Sequence, residues 1–207
     1  MKILSAQNLF TMKQETFEFE PEWQEIFGTP DTTGAWLIQG KEKNGKTQTA
    51  LIIAKLLSQY KRILYVSGEE GFAPSFINVV ERSGIIEAHK IGFLPYTSIE
   101  DLHVTLKKRN APKVVFLDNL TVYSEEFKRD GFDKFYNQYK DTKLIVFLTH
   151  EERNEPATAA GRRAKKFAKV LIHVTGLVAN IGGRCPGGKL IINEERADKY
   201  GYTLESN

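Results

Sequence analysis

The 207-residue chain holds a single cysteine, Cys185. That excludes an intramolecular disulfide and a thiolate metal cluster, and it points to a reducing, cytoplasmic setting. Histidines number 4, and His89 and His103 have no ligand-spaced neighbours, so a metal site built from imidazoles is not expected. No apolar run approaches the ~20 residues that cross a bilayer. The opening MKILSAQNLFTMKQE lacks the apolar stretch of a signal peptide, so no membrane partner is expected. A net charge of +3 is too small to announce a nucleic-acid binder; any such role must come from where the charges sit. Internal repeats and low-complexity tracts are missing too. What remains, with 41% hydrophobic and 27% charged residues, is the composition of a packed globule of ordinary domain size.

From Ala35 onward, short apolar runs alternate with amphipathic stretches. AWLI (35–38), ILYV (63–66), IGFL (91–94), KVVFL (113–117), LIVFL (144–148) and VLIHV (170–174) read as strands covered on both faces. Ala50, Ile53, Ala54 and Leu57 recur at helical spacing, as do Ile99, Leu102 and Leu106 behind a capping box of Ser98 and Asp101. Tyr123 to Tyr139 is aromatic-rich and expected helical, with Gly131 as its weak point. Its aromatics read as core or subunit interface rather than a base-stacking platform. LVANI (177–181) and KLIIN (189–193), flanking GGRCPGG, read as an antiparallel hairpin at the sheet edge. The expected architecture is α/β, a mostly parallel sheet flanked by helices. Residues 1–33 form a short lead-in and 34–207 the domain.

GKEKNGKT (40–47) joins the first strand to the first long helix and matches G-x-x-x-x-G-K-[ST] in full. Glycines at Gly40 and Gly45 let the backbone fold so that the N–H groups of Lys41, Glu42, Lys43 and Asn44 line one concavity. The helix that opens at Lys46, Thr47 and Gln48 turns its positive end to the same anion. Lys46 reaches the terminal phosphates, and the Thr47 hydroxyl suits Mg²⁺. Two further strands end in carboxylates at the edge where ligands sit in such sheets. KVVFLDNL places Asp118 there as a second magnesium partner. ILYVSGEEG places Glu69 and Glu70, of which Glu69 is favoured as the group that polarises an attacking water. With no N-K-x-D motif, adenine is favoured over guanine as the base.

These pieces, GKEKNGKT, YVSGEEG, VVFLDNL and FLTHEERN in that order, resemble the RecA-like ATPases, the core-only RadA/KaiC/DnaB type of phages and mobile elements most of all. The resemblance runs from Trp36 to Tyr202. It implies a RecA-like sheet with a C-terminal antiparallel hairpin, ATP and Mg²⁺ as ligands, and self-association into a ring or filament with nucleotide between subunits. It also matches Glu69 to the family's catalytic glutamate and Thr149–His150 to the position that senses the γ-phosphate, where glutamine or serine is commoner. No separate amino-terminal domain, zinc motif, protease domain or primase-binding extension is seen.

RNEPATAAGRRAKKFAK (153–169) concentrates Arg153, Arg162, Arg163, Lys165, Lys166 and Lys169 against one acid, Glu155. Its first half reads as a mobile loop and its second as a helix with one cationic face. Contact with a nucleic-acid backbone, an arginine finger to a neighbouring subunit and a plain solvated helix all remain open. The expected function is an Mg²⁺-dependent ATPase acting as an oligomer on single-stranded DNA. The alternatives are a nucleotide-gated assembly or loading factor with little turnover, and a P-loop kinase using the basic stretch as a lid.

Overall fold

The computed structural model describes residues 3–87 and 89–193, so the end of the family resemblance, 194–202, lies outside the described residues. β1 (Gly34–Gly40) is buried along its length, between β5 (Leu144–Glu152) and β7 (Ala168–Thr175), both parallel to it. Beyond β5 lie β4 (Val114–Asp118), β2 (Ile63–Ser67) and, at the edge, β3 (Ile91–Pro95), all parallel. Beyond β7, β8 (Val178–Gly183) and β9 (Gly188–Ile191) add antiparallel, completing the order β3-β2-β4-β5-β1-β7-β8-β9. This is the expected mostly parallel sheet with the expected hairpin at one edge.

Strand alternation builds two cores. Trp36 and Ile38 of β1 face one side with Tyr65 and Phe116, under α3 (Lys46–Ser58) and α4 (Pro74–Arg82). Ala35 and Leu37 face the other with Val66, Val115 and Phe147, under α5 (Ile99–Leu106), α6 (Gly131–Tyr139) and α7 (Ala159–Phe167). The segment before β1 closes the first core. Phe17 and Phe27 are each 1% exposed, and Phe27, from α2 (Pro21–Phe27), stacks on Trp36 at 5.2 Å between ring centroids. Ser98 caps α5 as expected: its Oγ accepts from the Asp101 N–H at 3.1 Å and donates to Asp101 Oδ2 at 2.8 Å.

Two expectations need correction. The 123–139 helix begins only at Gly131; consecutive turns occupy 120–130. Arg129 sits at φ +56°, and a methyl on Gly131 would lie 2.2 Å from the Glu126 carbonyl oxygen, so the chain folds back too tightly to stay helical. Burial of Tyr123, Phe127 and Phe135 in one core supplied the apolar pattern without a continuous helix. The first half of 153–169 is not a loose loop either. β5 runs on past Leu148 and turns at Arg153 and Asn154, φ +52° and +66°, into β6 (Glu155–Pro156). Positive φ at both central residues is what a two-residue type I′ hairpin needs. Thr158 then caps α7 by accepting from the Gly161 N–H at 3.0 Å. Lys169 belongs to β7, not to the helix.

Candidate functional site

At the C-terminal end of β1 the chain has no room for side chains. A methyl on Gly40 would lie 2.3 Å from the Val174 carbonyl oxygen, and one on Gly45 2.8 Å from Leu177 Cδ2. Gly45, at φ +94°, is the N-cap of α3 and offers no side-chain cap, which leaves first-turn N–H groups for an anion. Asn44 fastens the loop by accepting from the Gly176 N–H at 2.9 Å. Gly176 and Leu177, φ +56° and +63°, form the β7–β8 turn. Lys46 Nζ donates to the Lys41 carbonyl at 2.8 Å. Burial lowers the Lys46 pKa, opposed by the charges of Asp118 and Glu69.

Thr47 Oγ1 donates to Asp118 Oδ2 at 3.1 Å, and Tyr65 donates to the same oxygen at 2.6 Å. Burial pushes the Asp118 pKa up to about 6, against the two hydrogen bonds that favour its charged form. A buried carboxylate beside a hydroxyl is a hard-oxygen pair, the donor chemistry that Mg²⁺ takes. The residues present fit that ion, with Thr47 and Asp118 as its holders.

From the turn after β2, Glu69 reaches across to the ends of β4 and β5. Asn119 Nδ2 donates to Glu69 Oε2, and His150 Nε2 lies 3.2 Å from that oxygen and 2.9 Å from Asn119 Nδ2. Glu70 accepts from Ser75 Oγ at 2.9 Å. Thr149 points the other way, beneath α7, where a methyl on Gly161 would lie 2.7 Å from its Oγ1. His150 and Thr149 thus divide the two faces of the strand end, one towards the loop and one towards α7.

All of this surrounds a cavity of about 370 Å³ lined by Lys46, Thr47, Gln48, Glu69, Glu70, Asp118 and His150, with Glu42, Lys43 and Gly45 from the loop. That is within the size range of small-ligand pockets. Gly40, Lys41 and Asn44 shape the loop from behind. Asn119, Val79, Arg82 and Leu177 also line the cavity and were not anticipated from sequence. Asn119 carried a signal, directly following the strand-end Asp118. Leu177 and Arg82 carried none, because only folding brings the β7–β8 turn and α4 to the loop.

Arg153, Arg162, Arg163, Lys165 and Lys166 lie outside the cavity lining. Arg163 pairs with Asp133, Lys165 with Glu155 at 2.9 Å and Lys169 with Asp31. Arg162 donates to the carbonyls of Pro156 and Ala157. Among the described residues, Arg153 at the hairpin tip and Lys166 have no such partner. Behind the loop, His173 Nε2 lies 2.5 Å from the buried Glu151 Oε2, close enough for an ion pair though not aligned for a hydrogen bond.

No family model matches the chain. Over 152 residues, 71% of this chain, it is 28% identical to the DNA repair protein RadA of Aquifex aeolicus (strain VF5), and the match spans 33% of that protein, about a third of its length. The flagellar accessory protein FlaH of Methanocaldococcus jannaschii shares the fold at a TM-score of 0.61 and 15% identity, covering 86% of this chain and 92% of FlaH. A KaiC-like protein of Pyrococcus horikoshii OT3 does so at 0.64 and 13%, covering 86% and 94%. With its central parallel sheet, antiparallel edge and phosphate loop at the end of β1, the chain has a RecA-like P-loop fold and is similar in sequence to RadA.

Proposed function

We propose that this chain binds ATP with Mg²⁺ in the cavity behind GKEKNGKT and hydrolyses it, working as an oligomer on single-stranded DNA. The observation that carries the reading is convergence: Lys46, Thr47, Asp118, Glu69 and His150, from three separate strand ends and one helix, surround a single cavity. The loop amides and the α3 N-terminus hold the β- and γ-phosphates, and the Lys46 ammonium balances the charge that builds on them. Thr47 and Asp118 would hold Mg²⁺, which would supply charge neutralisation at the phosphates. Glu69 accepts a proton from water as the water oxygen attacks the γ-phosphorus; the bond from that phosphorus to the β–γ bridging oxygen breaks, leaving ADP and phosphate. His150, beside Glu69, meets the γ-phosphate from the β5 side, while Thr149 on the same strand end touches α7. That shared strand end is the route by which phosphate loss reaches the basic hairpin and helix.

DNA as partner is supported by the likeness to a DNA repair protein and by Arg153 and Lys166, the two cations of 153–169 without a partner among the described residues. The same arginine, on a tip that projects beyond the strand end, suits a finger aimed at a neighbouring copy's nucleotide. ATP turnover measured with and without single-stranded DNA, and again in Lys46→Ala, tests the reading. Turnover that depends on Lys46 and rises with DNA is expected. Turnover surviving Lys46→Ala would overturn the site, and indifference to DNA would remove the partner.

A further inference from the structure

Asn119 stands at the end of β4, 1% exposed, next to Asp118. A buried amide is costly unless its groups are met, and these are met in one specific way. Asn119 Oδ1 accepts from the Thr121 N–H at 2.7 Å, which settles which edge of the amide faces where. Its Nδ2 is therefore the edge turned to the cavity, donating to Glu69 Oε2 and lying 2.9 Å from His150 Nε2. An amide nitrogen cannot accept and a carboxylate cannot donate. His150 Nε2 is also 3.2 Å from Glu69 Oε2, so amide, carboxylate and imidazole close one triangle of contacts.

We propose that Asn119 is a positioning residue for Glu69: with His150 it pins Oε2, leaving Oε1 as the basic atom, and it makes Glu69 and His150 act as one unit. This rests on the reading of Glu69 as the base. A carboxylate on a turn, 51% exposed at its side chain, otherwise has many rotamers, and general-base help depends on holding one of them near the water.

Asn119→Asp keeps the size and the acceptor for Thr121 while removing the donor that faces Glu69, so it is the discriminating variant. In the full chain its kcat should fall on the order of 100-fold, with KM for ATP changed by less than about threefold. Asn119→Ala combined with His150→Ala should lose no more than the worse single variant, as expected of side chains that act together. Without nucleotide, the imidazole ¹⁵N signal of His150, identified by its loss in His150→Ala, should move in both Asn119→Asp and Glu69→Gln. Should Asn119→Asp not fold, the side-chain NH₂ signals of Asn119 must move in Glu69→Gln. Unchanged kcat in Asn119→Asp, additive losses, or NMR signals indifferent to the partner would overturn the proposal. Full turnover in Glu69→Gln would instead overturn the base assignment, while the NMR signals still report the contact.

Discussion

Thr47 Oγ1 and Asp118 Oδ2, 71 positions apart in the chain, are joined by a 3.1 Å hydrogen bond that ties the first turn of α3 to the end of β4. The bond closes one wall of the nucleotide cavity and keeps a carboxylate 8% exposed. Keeping that charge out of water is unfavourable in the empty protein and useful once a cation arrives.

Asp118→Asn should therefore stabilise the empty protein and disable it. A pKa raised from 3.8 to about 6 corresponds to about 3 kcal/mol at neutral pH, less what the altered Tyr65 and Thr47 bonds take back. Urea unfolding should show a gain of roughly 1–2 kcal/mol without ligand and loss of the added stability from magnesium nucleotide. The folded pKa lies above the unfolded one, so the folded state holds more protons between about pH 4 and pH 6. The contribution of Asp118 is then fully present below about pH 4 and lost as pH rises through about 6. The wild type should gain stability relative to Asp118→Asn as pH falls across that window. Parallel curves would refute the assignment.

Gly45→Ala should weaken nucleotide binding with the fold retained. The residue would sit at φ +94°, and its methyl would lie 2.8 Å from Leu177 Cδ2. Strain of order 1–3 kcal/mol predicts a loss in nucleotide affinity of about tenfold or more. Adding Leu177→Ala removes the contact but not the backbone strain, so titration with a fluorescent nucleotide should show partial recovery.

Charges in the 153–169 stretch should separate by their partners. Arg163 and Asp133 are 45% and 32% exposed at their side chains, so Arg163→Ala should alter stability by no more than about 1 kcal/mol. It should leave oligonucleotide affinity nearly unchanged. Arg153→Ala and Lys166→Ala should each lower affinity and reduce the slope of log affinity against log salt by about 1. Fluorescence anisotropy at several salt concentrations distinguishes the two patterns; a larger loss from Arg163→Ala would reverse the ranking.

Phe17→Ala should cost about 3–5 kcal/mol, as for other fully buried aromatics. Its ring is 1% exposed and stacks on Phe19 at 5.5 Å. Thermal unfolding of that variant measures how far residues before β1 carry the fold; a change under 1 kcal/mol would reduce them to a covering.

The phosphate loop, the β1-to-α3 junction and the strand-end acids could be read from the chain because each is a local pattern. Glycine spacing sets backbone freedom, consecutive apolar residues mark a strand covered twice, and Ser98 with Asp101 marks a helix start. The 120–130 turns were hidden because Tyr123 and Phe127 are buried as a helix face would be. The 151–156 hairpin was hidden because Arg153 and Asn154 at positive φ lack the glycine that usually announces such a turn. Asn119 stood in plain view beside Asp118, but its meaning depends on β2 and β5 arriving next to it.

Residue order alone specified the chemistry available: an anion cradle, an ammonium, a hydroxyl and carboxylates at the ends of apolar strands. Those are properties of short segments, settled by backbone sterics and hydrophobic periodicity. Folding chose which of them meet. Parallel pairing of β2, β4, β5 and β1 brought Glu69, Asn119, Asp118 and His150 to one rim and turned Thr149 beneath α7. Ion pairing engaged half of the cationic stretch, through Asp133, Glu155 and Asp31. Such outcomes depend on contacts between residues far apart in the chain, whose energies arise only when packing removes the water between them.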